Sequence, residues 1–160
     1  MPACAPSHAT RTYGIVRCRQ TKLETIIRTK YLLNLSEAQT IVSAAQAHAN
    51  RSGWAITVAV VDDSGTPIIV SRLDDASPSS VNTAIEKARS AANTGLPTKV
   101  LETMIRERPG IVTLGRVAVE GGLPILYKGQ RVGGVGVSGV KSDQDAEVAQ
   151  AGLQALDLNS

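Results

Sequence analysis

Three short stretches of this 160-residue chain carry side chains whose types and spacing suggest chemistry. Gly134-Val135-Gly136-Val137-Ser138-Gly139 has the G-x-G-x-x-G spacing of a dinucleotide-binding turn, and it lies between a strand-like apolar run and a helical pattern. Glu120-Gly121-Gly122 places a carboxyl in apolar company (Val117, Val119, Leu123). Such surroundings favour a protonated carboxyl that can act as a proton donor. Gly121 and Gly122 would let a flat ligand approach the backbone. Arg72, at the end of a β-branched run, and Lys87, on the helix that follows, are cations able to hold a substrate carboxylate. For both, the competing reading is an internal ion pair with Glu86 or Asp74, and Arg89 is a third cation on the same helix.

Other chemistries are less well supplied. Of the two histidines, His8 lies near the N-terminus, and His48 sits at the polar end of a helical run, next to Arg51. Haem needs an axial His, Cys, Met or Tyr, and His48 is the one histidine offered by the body of the chain, as a ligand or as ordinary helix surface. A metal site needs a cluster of His, Cys and carboxylate, and the spacing shows none. Ser138 lacks the nucleophile elbow of a hydrolase.

The elements that must position these residues follow from periodicity. Leu35, Ala38, Ile41, Val42, Ala45 and Ala49 recur at helical spacing, with Ser36 as the expected N-cap, Gln39 completing a capping box and Gly53 as the stop. Runs Ile56–Val61 and Ile68–Val70 flank a turn near Ser64-Gly65, and Ile125–Tyr127 and Val132–Val137 flank one at Lys128-Gly129. Helices are predicted after Ser79 or Ser80, from Pro97 to Arg108, and after Ser142. The order helix, hairpin, helix, helix, hairpin, helix implies an antiparallel sheet with helices packed on it, an α+β domain. A Rossmann site needs a second parallel strand and an acidic residue about 20 positions on. Only one helix follows Gly139, so the glycine fingerprint is read as coincidental and NAD is not expected.

Charge divides the chain. Six of its 17 basic residues but only one of its 14 acidic residues fall in residues 1–30, together with both cysteines, Cys4 and Cys18. The remaining 11 basic and 13 acidic residues leave residues 31–160 slightly acidic, which argues against a nucleic-acid face. Residues 1–30 lack the apolar core of a secretory signal and read as a basic, disordered extension. No apolar run approaches a membrane span. A domain without cysteines suits a reducing cytoplasm. With no Phe and a single Trp, Trp54, the core must be aliphatic.

The stretches "EGGLPI", "GQRVGGVGVSGV" and "QDAEVAQAGL", preceded by "LSEAQTIVSAAQAHA" and "VAVVDDSGTPIIVSRLDDASPSSVNTAIEKARSAA", closely resemble the GlcG/HbpS family, which includes the C-terminal domain of PduO. The resemblance covers about residues 33–157. It implies a profilin-like, five-stranded antiparallel sheet flanked by helices, and a homo-oligomer of two or more chains. Three functions are implied. One is a metal-independent lyase converting 4-hydroxylaminobenzoate to protocatechuate and ammonia, with Glu120 as the acid, Arg72 or Lys87 holding the aromatic carboxylate, Gly121 and Gly122 beside the ring, and no cofactor. The alternatives are a haem-binding or haem-degrading protein and an accessory protein of a small-metabolite catabolic operon.

Overall fold

A computed structural model describes residues 29–156. The readings made above for residues 1–28, among them Cys4, His8 and Cys18, lie outside the described residues. The elements are α1 (Leu35–Ser52), β1 (Thr57–Asp62), β2 (Pro67–Arg72), α2 (Ser80–Thr94), α3 (Thr98–Glu107), a 3₁₀ turn (Pro109–Leu114), β3 (Gly122–Tyr127), β4 (Gln130–Ser138) and α4 (Ser142–Gln154).

Both hairpins form where the turn residues place them. In the first, the Asp62 carboxylate accepts hydrogen bonds from the Ser64 and Thr66 amides, each at 2.9 Å. In the second, Lys128 and Gly129 both take positive φ, 47° and 75°, as a tight two-residue turn requires. The strands are all antiparallel, in the order β2-β1-β4-β3. The sheet therefore has four strands among the described residues, where the resemblance implied five. The β3 edge shows why no fifth strand pairs at its start. The Thr98 hydroxyl accepts from the Gly122 amide at 2.8 Å and donates to the Gly122 carbonyl at 3.3 Å, replacing a neighbouring strand there. Two positions on, Pro124 has no amide to offer.

Helices cover both faces of the sheet, so β1 is buried from Thr57 to Val61. Val58 and Val60 join Ile41, Ala45, Val148 and Ala149 of α1 and α4 in the larger core. Ala59 and Val61 point the other way, onto Ala84, Ala88 and Ala92 of α2. This second interface is built from small residues, and the glycines belong to it. Gly134 and Gly136 lie within β4 rather than after it. A Cβ on Gly136 would stand 2.2 Å from the Ala84 carbonyl oxygen, and one on Gly134 would stand 2.4 Å from that of Ala88. The G-x-G-x-x-G spacing thus records the backbone of α2 resting on the backbone of β4.

Two expected caps move. Asn34, not Ser36, caps α1: its side chain accepts from the Glu37 amide at 3.1 Å while Glu37 accepts from the Asn34 amide at 2.9 Å. The capping box thus forms two positions earlier, where an acid stands at the third helical position. Neither Ser79 nor Ser80 caps α2 through its side chain; Ser80 instead shares a buried hydrogen bond with Thr57 at 2.7 Å. No helix among the described residues is long and apolar enough to cross a membrane.

Candidate functional site

Gly121 and Gly122 enter β3 directly above a buried ion pair. Lys87 of α2 donates to Asp145 of α4 at 2.7 Å and to the Val137 carbonyl at 3.0 Å. The two side chains are 2% and 3% exposed. Asp145 also accepts the Val140 amide at 3.2 Å. Burial pushes the Asp145 carboxyl above its ordinary value, while the hydrogen bond and charge of Lys87 and the Val140 amide pull it back. Gly121, at φ 122°, leaves the space the pair needs: a Cβ there would lie 2.8 Å from both Lys87 Nζ and Asp145 Cβ. A Cβ on Gly122 would lie 2.5 Å from the Lys87 carbonyl oxygen. The glycine pair thus cradles the protein's own ion pair.

The sequence-derived site residues separate into three places. Glu120 adjoins the glycines, its side chain 18% exposed, and pairs with Lys99 at the start of α3 at 3.0 Å. Lys87 is too deeply buried to meet a ligand at the surface. The internal ion pair weighed for it does form, but with Asp145 rather than Glu86 or Asp74; Glu86 pairs with Arg89. Arg72 is exposed on β2, the edge opposite β3, three strand spacings or about 14 Å away. Glu120, Gly121, Gly122 and Lys87 are therefore brought together, and Arg72 is not.

The third place is the helical layer on the other face. His48 of α1, 22% exposed in its side chain, has Nε2 at 3.0 Å from the carboxylate of Glu147 on α4. The Trp54 ring lies 6.0 Å from the imidazole, centre to centre. A proton on Nε2, directed at Glu147, leaves the Nδ1 lone pair to accept a hydrogen bond or a metal. Elsewhere, an open groove of about 740 Å³ runs between β3 and the C-terminal half of α4, lined by Pro124, Leu126, Lys128 and Leu153 among others. It includes none of the candidate residues. Among the described residues, no group of three His, Cys, Asp or Glu side chains could hold a metal ion.

Sequence reasoning missed Asp145, Thr98, Lys99 and Glu147. The Gln144-Asp145 pair was visible as a family signature, but spacing gave no sign that its acid meets a lysine 58 positions away. For Thr98, Lys99 and Glu147 no local signal exists, since each partner comes from a distant element.

Comparison with known proteins adds the family. The model for the HbpS-like family, described as "Haem degrading protein HbpS-like", matches residues 33–154. The chain belongs to the HbpS-like family. Within that family it is 39% identical over 114 residues to Protein GlcG of Escherichia coli K12, covering 70% of this chain and 85% of GlcG. It is similar in structure to a double mutant of Streptomyces reticuli HbpS, with TM-score 0.78, 30% identity, and 97% of this chain and 99% of that one covered. It is also similar to the PduOC:Heme complex, with TM-score 0.74, 26% identity, and 81% and 98% covered. Two of these descriptions concern haem, and none names a hydroxylaminobenzoate lyase.

Proposed function

We propose that this HbpS-like chain binds haem, with His48 as the iron ligand. The constellation of His48, Glu147 and Trp54 carries the reading. It joins an imidazole at the surface, a carboxylate that orients it, and a flat apolar ring beside it. A carboxylate on the far nitrogen fixes the tautomer and raises the basicity of a ligating histidine. Arg51, in the last turn of α1, is a cation suited to a propionate carboxylate. The similarity to a haem complex at 26% identity supports the same reading. Bound haem supplies iron able to take an axial ligand and change oxidation state; the chain's own part is to hold and orient it.

The lyase reading draws less support, because Lys87 lies inside the fold and Arg72 stands on the far edge of the sheet from Glu120. Titration of haemin into the full chain, followed in the Soret region, tests the proposal. Saturation at one haem per chain supports it. An unsaturable spectrum, together with ammonia released from 4-hydroxylaminobenzoate by the haem-free protein, would replace it with the lyase.

A further inference from the structure

The groove of about 740 Å³ between β3 and α4 takes no part in the haem reading. Its apolar walls are Pro124 and Leu126 on the strand, Leu153 at the end of α4 and Leu156 just beyond it. Lys128 is the one charged side chain that lines it. Among the described residues no carboxylate pairs with Lys128; its ammonium stands 5.1 Å from the centre of the Tyr127 ring. Apolar walls beside a cation that lacks an acid suit an apolar segment carrying one carboxylate.

The described chain enters the fold beside this groove. Tyr31 packs edge-on against Tyr127, ring centres 4.9 Å apart, and Tyr127 stands between Leu126 and Lys128 of the groove wall. Upstream lies Lys22-Leu23-Glu24-Thr25-Ile26-Ile27-Arg28. Leu23, Ile26 and Ile27 stand at i, i+3 and i+4, one face of a helical turn. Glu24 flanks that face and is the only acid among residues 1–30.

We propose that residues 23–28 of the same chain fill the groove as a short helical segment. Leu23, Ile26 and Ile27 lie against Leu126, Leu153 and Leu156, and the Glu24 carboxylate meets Lys128. An apolar helix face laid into an apolar groove is a general mode of recognition. The dimensions agree. Six helical residues span about 9 Å, and the β3 wall from Pro124 to Lys128 runs about 13 Å. Residues 157–160 follow Leu156 directly, but they bring one apolar side chain, Leu158, to walls that hold four. For residues 23–28 the proposal replaces the disorder expected from composition.

Hydrogen exchange of the full-length chain, read by mass spectrometry, tests this. The proteins are the wild type, Ile26→Asp with Ile27→Asp, Lys128→Glu, and Lys128→Glu with Glu24→Lys. In the wild type, amides of residues 23–28 should exchange at least 10-fold more slowly than in a free peptide of that sequence. The double aspartate variant and Lys128→Glu should each remove that protection, and Glu24→Lys should restore it to Lys128→Glu. Residues 80–94 of α2 should exchange alike in all four proteins, which shows the fold intact. Free-peptide exchange of residues 23–28 in the wild type would overturn the proposal. So would protection that survives both the double aspartate and Lys128→Glu, or that Glu24→Lys fails to restore. Protection confined to residues 157–160 would assign the groove to the C-terminus instead. Protection lost on dilution to nanomolar chain would assign it to a second copy, and either result would also overturn the proposal.

Discussion

Lys87 and Asp145 stand 58 positions apart in sequence, on helices that pack against opposite faces of the sheet, and meet at 2.7 Å out of contact with solvent. The pair therefore ties both helical layers to the entry of β3. Removing one partner from a buried pair strands the other charge and costs about 3–5 kcal/mol, whereas replacing both with apolar groups is far milder. Lys87→Met and Asp145→Asn should each lower the urea midpoint sharply. Lys87→Met combined with Asp145→Asn should lose clearly less than the sum of the two single losses. Additive losses would show that the residues act independently.

The small-residue contact between α2 and β4 predicts a contrast between two glycines. Gly136→Ala forces a methyl group to within 2.2 Å of the Ala84 carbonyl oxygen, in rigid backbone, and overpacking of this kind costs about 1–3 kcal/mol or more. Gly110→Ala meets nothing within 4 Å and should fall within about 0.5 kcal/mol of the wild type. Melting temperatures of the two variants decide the point.

Asp62 gives a pH dependence. Desolvation works against its charged form, but hydrogen bonds from the Ser64 hydroxyl and from the Thr66, Ser64 and Gly65 amides outweigh it, and the carboxyl lies below its ordinary 3.8. A lowered folded-state value stabilises the fold fully above the unfolded value, and that stability disappears as pH falls through the folded one. Asp62→Ala should therefore melt lower than the wild type by a constant margin above about pH 5. The margin should shrink once the pH drops below 3.8. A gap that persists undiminished at pH 2 would mean that the charge of Asp62 plays no part.

The sequence was legible where structure is local. Asp62-Asp63-Ser64-Gly65 and Lys128-Gly129 are turns by their own chemistry, and the Ala84, Ala88 and Ala92 spacing shows a helix face before any partner is known. The glycines of β4 misled as a motif, because close approach to a phosphate and close approach to a helix ask for the same residue. The candidate site was legible only in part. Glu120 and the glycine pair were found from their context, but the partner of Lys87 comes from a helix whose position only the fold determines. Thr98 was unreadable for the same reason: a threonine opening a helix gives no sign that its hydroxyl takes the place of a strand.

The reading of this chain as a haem protein rests on His48. The most direct measurement is the absorption spectrum of haemin titrated into the wild type and into His48→Ala, with circular dichroism showing both folded. The His48 ring is 22% exposed and lies outside the buried core, so it can be shortened without emptying that core and the variant keeps its fold. The prediction is a sharp Soret band saturating at one haem per wild-type chain, and loss of that band with binding weakened at least tenfold in His48→Ala. An identical band and affinity in the two proteins would contradict the assignment of the ligand, and no saturable band in the wild type would contradict haem binding itself.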